Sequence, residues 1–181
     1  MIIFDLDGTL TDCEYRRHLV DPLKNKNLVK GWNIKTSGLH WFDKDTLEKW
    51  KPDWPAFYEA CDQDKPIKPT LDLIEEMLLK SDDIRIWSGR CESVRDKTIK
   101  WLSYQIPMTM KWGSGKWEKY LKMRPIADST PDDVLKEKWL DDALAFGETI
   151  EYVFDDRPKV VKMWRRRGIF VFDVNQSGKE F

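Results

Sequence analysis

Short apolar runs alternate along this chain with segments in which apolar residues recur at helical spacing. The runs are rich in β-branched and aromatic residues, which favours buried strands, and the intervening segments carry the apolar stripe of an amphipathic helix. Such alternation is typical of a parallel sheet whose strands are joined by covering helices. The sequence therefore predicts an α/β fold, a Rossmann-like parallel sheet with helices on both faces. The predicted strands are residues 2–6, 84–87, 121–126, 152–154 and 169–174, of which 121–126 has the weakest pattern.

The alternation is interrupted over residues 12–68, where prolines and charged residues surround many aromatic side chains. Its clear helical pattern lies at residues 53–61. We interpret residues 12–68 as a small cap insertion after the first strand, and residues 1–11 and 69–181 as the core. We expect the aromatic side chains to form the insertion's own core, with one or two available to stack on a base. They are Trp32, Trp41, Phe42, Trp50, Trp54, Phe57 and Tyr58.

Charge and composition exclude several classes of protein. With 31 Lys and Arg against 32 Asp and Glu, the net charge is −1, so the chain lacks the cationic field of a protein that coats or slides along nucleic acid. Recognition of a strand end is compatible with this charge. No apolar run approaches the roughly 20 residues of a membrane helix. The three cysteines show neither disulfide nor zinc-ligand spacing. We therefore expect a cytoplasmic protein with no membrane contact and no obligate protein partner.

Two acidic pairs follow predicted strands. Asp5 and Asp7 are two residues apart, so on an extended chain they point the same way, and Gly8 permits a sharp turn directly after them. Asp155 and Asp156 follow another strand. Because the carboxyl ends of parallel strands meet at one edge of a sheet, the two pairs are expected to converge there. Their oxygen ligands suit Mg²⁺, which binds few protein groups and keeps water or phosphate as further ligands.

A hydroxyl and an ammonium group are predicted beside these acids. Ser88 follows the strand at 84–87, and Lys136 lies one turn into a helix that we expect to begin with Thr130 as its N-cap. Such groups can hold a phosphoryl group that four carboxylates alone would repel. Asp132 and Lys136 are four residues apart, so they should share one face of that helix.

These residues resemble the four motifs of the haloacid dehalogenase superfamily of phosphohydrolases, in the same order. The motifs are Asp5-Leu6-Asp7-Gly8-Thr9, Ser88, Lys136 and Asp155-Asp156. In the last third of the chain, residues 128–136 and 154–166 are similar to the 3′-phosphatase domain of phage-type polynucleotide kinase-phosphatase. The resemblance covers most of the chain outside the insertion.

The resemblance implies a role for each matched residue. The catalytic residues would be Asp5, the nucleophile that forms an aspartyl-phosphate, Asp7, the acid and then the base, and Lys136. The Mg²⁺ cofactor would be held by Asp5, the backbone carbonyl of Asp7 and Asp155, with Asp156 orienting them. The residues assigned to phosphate or substrate binding are Thr9, Arg16, Ser88, Gly89, Arg90, Arg124, Asp132 and Arg157. We expect the arginines to divide between substrate phosphates and support of the site.

Plainer interpretations of three of these residues stay open. Arg157 opens a helix and could pair with an acid, Arg16 could belong to the surface of the insertion, and Asp132 could be a helix-start charge.

The function implied is hydrolysis of nucleotide phosphates, most simply the 3′-phosphate of a DNA or RNA end. A phosphatase of free nucleoside or deoxynucleoside 5′-monophosphates is the alternative, because a cap could close over a small substrate. A non-catalytic phosphate-binding module is the third, and the presence of both Asp5 and Asp7 argues against it.

Overall fold

The structure is a computed structural model that describes residues 1–25, 29–32, 40–42, 48–80, 83–107 and 115–175. Side chains at 29–32, 40–42 and 116 are not described. The strands are β1 (Ile2–Phe4), β2 (Thr11–Asp12), β3 (Val29–Trp32), β4 (His40–Phe42), β5 (Lys65–Pro66), β6 (Ile84–Cys91), β7 (Leu121–Arg124), β8 (Tyr152–Asp155) and β9 (Phe170–Asp173). The α-helices are α1 (Trp54–Glu59), α2 (Lys68–Leu78), α3 (Arg95–Gln105), α4 (Lys116–Tyr120), α5 (Asp132–Ala145) and α6 (Pro158–Arg166). Short 3₁₀ helices cover Glu14–Leu19, Pro22–Lys24, Ala60–Gln63 and Glu92–Val94.

The chain forms two compact units. The core unit comprises Met1–Asp12 and Lys65–Phe181, and the insertion unit comprises Cys13–Asp64. Among the described residues, no helix has the length and apolar character needed to cross a membrane.

A five-stranded sheet with the order β7-β6-β1-β8-β9 forms the centre of the core unit, and every pairing in it is parallel. The first strand is central, with Ile2 opposite Ile84 of β6 on one side and Tyr152 of β8 on the other. The predicted α/β class and all five predicted strands are confirmed. Since β1, β6 and β8 are adjacent and parallel, their carboxyl ends meet at one edge.

The sheet buries different side chains on its two faces because successive residues of a strand point in opposite directions. On one face, Ile3, Trp87 and Val153 join a buried cluster with α5 and α6, which contribute residues such as Trp139 and Trp164. On the other face the rings of Phe4, Phe154 and Phe172 are stacked at centroid distances of 4.3 and 4.7 Å.

The start of α5 differs from the prediction by one residue. Pro131, not Thr130, is the N-cap, and its carbonyl accepts the first helical hydrogen bond from Leu135 N at 2.8 Å. Thr130 is held outside the helix because its N–H donates to Asp128 Oδ1 at 2.7 Å and its carbonyl accepts from the Arg124 guanidinium. Gly147 and Gly168 have positive φ just after α5 and α6 end, as is typical of the glycine that terminates a helix.

Within the insertion unit, α1 begins where the sequence predicts it, with Asp53 Oδ1 accepting from Ala56 N at 3.0 Å. Phe57 is buried and Trp54 is exposed, although their rings make an edge contact at 5.6 Å. The predicted aromatic core is therefore confirmed at Phe57 but not at Trp54. The side chains of Trp32, Trp41 and Phe42 lie outside those described.

The polypeptide leaves and rejoins the core at one place. Strands β2 and β5 form a two-residue antiparallel ribbon in which Asp12 lies opposite Lys65. The two points at which the insertion unit is attached to the core unit are therefore adjacent.

Candidate active site

The turn after β1 places the first acidic pair. Asp5 N donates to the Phe154 carbonyl at 2.9 Å, which extends the pairing with β8 and orients the Asp5 side chain. Gly8 follows with a φ of +92°, and a Cβ there would lie 2.0 Å from Asp156 Oδ2. Only glycine lets the turn pass this close to the second acidic pair.

Three buried carboxylates meet at the ends of β1 and β8. Asp5, Asp155 and Asp156 each offer an oxygen within 4.8 Å of the others. Three acids in a buried site repel one another unless a cation lies between them. Oxygen donors at this spacing fit a hard divalent cation such as Mg²⁺. The side chain of Asp7 is not part of this cluster.

Lys136 brings an ammonium group from α5 to the same carboxylates. Its Nζ lies 2.5 Å from Asp5 Oδ1, 2.9 Å from Asp155 Oδ2 and 3.8 Å from Asp132 Oδ2, and the residue is only 1% exposed. Burial works to lower the pKa of Lys136, but Asp155, Asp5 and Asp132 outweigh it and hold the pKa above its ordinary value. Lys136 is therefore a permanent cation in the site.

The same environment acts differently on Asp5. Burial raises the pKa of the Asp5 carboxyl, Lys136 lowers it, and Asp155 and Asp156 raise it again, so the result lies well above the ordinary value. Lys136 thus compensates only part of the cost of ionising Asp5. A further cation beside Asp5 would lower this pKa and so favour the charged form of the carboxyl group.

Arg90 binds Asp7, the predicted acid and base. Its Nε lies 3.0 Å from both carboxylate oxygens of Asp7, and its Nη2 lies 2.5 Å from Oδ1. Thr11 Oγ1 also donates to Asp7 Oδ1 at 3.0 Å and accepts from Arg90 Nη2 at 3.1 Å. Arg90 is fully buried while the Asp7 side chain is 22% exposed. The guanidinium thus orients the carboxyl group from behind.

Arg124 and Asp132 link β6, β7 and α5. Arg124 donates through Nε to the Gly89 carbonyl at 2.9 Å and through Nη2 to Asp132 Oδ1 at 3.2 Å. Asp132 also lies 3.6 Å from Arg157 Nη1, whose side chain is 37% exposed. A Cβ at Gly89 would be 2.4 Å from Asp132 Oδ1, so this close approach requires glycine. Asp132 therefore joins Lys136, Arg124 and Arg157, and its environment is more than that of a helix-start charge.

Ser88 and Thr9 complete the predicted set in the core unit. Ser88 is buried within β6, three residues before the last residue of the strand, and its Oγ accepts from Arg90 N at 3.2 Å. Thr9 is also buried, and its hydroxyl donates to Asp156 Oδ1 at 3.4 Å.

Arg16 lies in the insertion unit. It is completely buried, donates to both oxygens of Asp64 at 2.8 and 2.7 Å and to the Phe57 carbonyl at 2.9 Å, and its guanidinium covers the Phe57 ring at 4.0 Å. These contacts hold Glu14–Leu19, α1 and Asp64 together within that unit, so Arg16 is not a surface residue.

Two supporting residues were not predicted from the sequence. Thr11 binds Asp7, and the indole N–H of the fully buried Trp164 donates to Asp155 Oδ2 at 3.4 Å. Trp164 lies among the apolar residues of α6 that join the buried cluster, so its sequence context indicates only core packing. Trp164 lies nine residues after Asp155, on the helix that follows β8. No sequence pattern at this spacing predicts a hydrogen bond between the two side chains.

The chain resembles known phosphatases. A family model described as the polynucleotide kinase PNKP phosphatase domain matches residues 43–178. Among solved structures, a chain of the Pnkp1/Rnl/Hen1 RNA repair complex matches with a TM-score of 0.58 and 23% identity, covering 96% of this chain and 41% of that one. This chain therefore spans less than half the length of that relative.

Two further structures share the fold. A haloacid dehalogenase-like hydrolase from Streptococcus pneumoniae has a TM-score of 0.56 at 16% identity, covering 95% of this chain and 82% of that one. A class C acid phosphatase from Bacillus anthracis, with tungstate bound, has a TM-score of 0.54 at 14% identity, covering 99% and 73%.

Proposed function

This chain belongs to the family of polynucleotide kinase PNKP phosphatase domains, and from that premise we propose that it is a Mg²⁺-dependent polynucleotide 3′-phosphatase acting through an aspartyl-phosphate. The observation that carries the proposal is the position of Asp5. It is buried beside two further carboxylates and 2.5 Å from the Lys136 ammonium. A nucleophile, a clamping cation and ligands for a divalent cation are thereby combined in one site.

In the first step a carboxylate oxygen of Asp5 attacks the phosphorus, and the bond from phosphorus to the ester oxygen breaks. Asp7, in its protonated form, gives its proton to the departing oxygen. In the second step Asp7 takes a proton from a water molecule, whose oxygen attacks the phosphorus and displaces the Asp5 carboxylate. The contacts with Arg90 and Thr11 fix Asp7 in one orientation for both transfers.

The residues that would hold Mg²⁺ are Asp5 and Asp155, with Asp156 beside them and the backbone carbonyl of Asp7 as a further ligand. When bound, the ion supplies positive charge that draws the phosphoryl oxygens into the site and favours the ionised form of Asp5. Lys136 stabilises the charge that develops on the phosphoryl oxygens, and the hydroxyl of Ser88 in β6 binds one of them.

A 3′-phosphorylated strand end is favoured as the substrate by the family and by the charge of the chain. The net charge of −1 suits a short contact near the end of a strand. Arg157 is the partly exposed arginine among the core-unit residues assigned to substrate and can reach the next phosphate or sugar, while Arg90 and Arg124 bind protein groups.

Phosphate release from a matched panel tests this proposal. The panel contains a 3′-phosphorylated oligonucleotide, its 5′-phosphorylated counterpart, a 3′-mononucleotide and 5′-mononucleotides, each with Mg²⁺ and with a chelator. We expect the 3′-phosphorylated oligonucleotide to have the highest kcat/KM and the chelator to abolish turnover.

Preference for 5′-mononucleotides would establish the competing function, a nucleotidase. Turnover that persists in the chelator would contradict the Mg²⁺ requirement.

A further inference from the structure

A groove lies beside β7, which is an outermost strand of the sheet among the residues that the structure describes. It has a volume of about 310 Å³. Its lining includes Arg85, Trp87, Lys119, Tyr120, Lys122 and Phe146. We call it the edge groove. Phe146 follows the last residue of α5, whereas Asp132, at the first residue of α5, belongs to the active site. The helix rises 1.5 Å per residue, so it separates Phe146 from Asp132 by about 20 Å.

The edge groove contains amines that lack acidic partners. Arg85 and Arg95 are ion-paired there, with Glu148 at 2.7 Å and Glu92 at 2.6 Å. In contrast, neither Lys119 nor Lys122 has a carboxylate partner among the residues that the structure describes.

Lys122 has an unusual environment for a cation. Its stem is half-buried, and its Nζ lies 5.2 Å from the Trp87 ring centre and 5.3 Å from that of Trp139. Burial lowers the pKa of Lys122, and nearby Arg85 adds to this, although Asp142 and Glu148 oppose it. An anion beside Lys122 would oppose this lowering and favour the charged form.

Aromatic surface accompanies these amines. Phe146 is 86% exposed at the rim of the edge groove. Tyr120 contributes a second ring, over which Lys119 lies at 5.0 Å. A fully exposed phenylalanine contributes nothing to the core.

We propose that the edge groove binds the single-stranded part of the substrate several nucleotides before its 3′-phosphate, with Lys119 and Lys122 on phosphates and Phe146 stacked on a base. This inference rests on the proposed polynucleotide 3′-phosphatase function. Single-stranded nucleic acid offers phosphates and planar bases in alternation, which is what amines interleaved with rings recognise. Inorganic phosphate would satisfy the lysines but not the ring, and an acidic peptide would supply charge without a stacking face. At about 3.4 Å per nucleotide of a stacked strand, the separation corresponds to roughly six nucleotides.

The test is binding of fluorescein-labelled, 3′-phosphorylated oligonucleotides of three and ten nucleotides, measured by anisotropy in chelator so that none is hydrolysed. We expect the decamer to bind the parent protein about tenfold more tightly than the trimer. Phe146→Ser should weaken decamer binding at least about fivefold, as expected for one stacked base. Lys122→Met should reduce the slope of log affinity against log salt by about 0.7. Trimer binding should not change.

Matched controls come from the same fold. Tyr104→Ser removes another highly exposed ring, from α3, and Lys138→Met removes an exposed lysine of α5, so both should leave decamer binding unchanged. Lys122→Met keeps the stem that packs on Trp87. If it nevertheless lowers the melting temperature, Lys119→Met, at an exposed position, replaces it.

Equal affinity of the trimer and decamer for the parent would overturn the proposal, and so would groove variants that bind the decamer normally. Loss of affinity for inorganic phosphate or polyglutamate instead of the decamer would assign the groove to those ligands and would equally overturn it. Hydrolysis of the 3′-phosphorylated trimer with Mg²⁺ reports on the active site alone, so the failure of this inference can be distinguished from that of the proposed function.

Discussion

The neighbours of Asp5 act in opposite directions on the ionisation of its carboxyl group. The carboxylates of Asp155 and Asp156 and the burial of the site disfavour its ionisation, and Lys136 favours it. A buried carboxyl group that is costly to ionise lowers the free energy of unfolding when it is charged and no metal ion is present.

Replacing Asp5 by Asn should separate these two effects. The amide has the shape of the carboxyl group but is neither nucleophilic nor charged, so turnover should fall by several orders of magnitude. The raised pKa of Asp5 means that the folded state binds this proton more tightly, so the free energy of unfolding falls as pH rises through the window from the ordinary Asp pKa to the raised one. Above that window, without metal, Asp5→Asn should melt higher, by about 2–4 °C for each kcal/mol relieved.

Melting curves of parent and variant in chelator, recorded across this pH range, measure the effect, and the two curves should approach each other at low pH. A variant that keeps turnover within about tenfold of the parent would remove Asp5 from the role of nucleophile.

Arg90→Lys tests whether Arg90 acts on Asp7 or on the substrate. Lysine keeps the charge but cannot contact both oxygens of Asp7, so the orientation of the acid should be lost. We expect kcat to fall by about 10- to 100-fold, which is part of the roughly 10²–10⁴ that general acid–base catalysis supplies. The loss should be equal for a small aryl phosphate and an oligonucleotide, with KM unchanged. An increase in KM confined to the oligonucleotide would place Arg90 on the substrate.

At the scale of the element, α5 links the active site to the rest of the sheet. Its first turn carries Asp132, the next turn carries Lys136, and Trp139 follows in the buried cluster. The spacing of four residues puts both charged groups on the face that points into the site, where Asp132 also binds Arg124 and Arg157.

Asp132 and Lys136 should therefore act as a unit. In a double-mutant cycle with Asp132→Asn and Lys136→Met, we expect the combined loss in kcat/KM to be much smaller than the product of the single losses. Lys138→Met, on the exposed face of the same helix, should have almost no effect. Independent losses at positions 132 and 136 would mean that Asp132 does not position the ammonium group.

The strands were predictable because a buried parallel strand needs a short run of β-branched or aromatic residues, and the convergence of the acidic pairs followed from the geometry of a parallel sheet. The N-cap of α5 was not predictable in this way. The choice between Thr130 and Pro131 depends on Arg124, which lies on a neighbouring strand and binds the Thr130 carbonyl. The same holds for the attachment of Arg90 to Asp7. A guanidinium can bind an acid or a phosphate, and only tertiary contacts select between them.

On the scale of the whole molecule, the insertion unit begins and ends at one antiparallel pair, Asp12 opposite Lys65. Replacing residues 13–64 by a tight Asn-Gly turn would join these two strands as a hairpin. Because the residues that bind Asp5, Asp7 and Lys136 belong to the core unit, we expect the shortened protein to fold and to hydrolyse a small aryl phosphate within about tenfold of the parent rate.

The edge groove belongs to the core unit, so the shortened protein should still prefer an oligonucleotide to a mononucleotide. Circular dichroism and kcat/KM values for the three substrates provide the measurement. Loss of that preference would show that the insertion selects the substrate.

The position of β1 at the centre of the sheet has a consequence for how the protein folds. Its register partners, Ile84 and Tyr152, lie far along the chain. The first strand in the sequence therefore gains its pairing only when these distant segments reach it. Contacts so distant in sequence slow folding, because the entropy of closing large loops is lost before the pairing is gained. Asp5 meets Asp155 only once β8 has paired beside β1. The cluster of Asp5, Asp155 and Asp156 therefore forms only when two strands from opposite ends of the chain have paired.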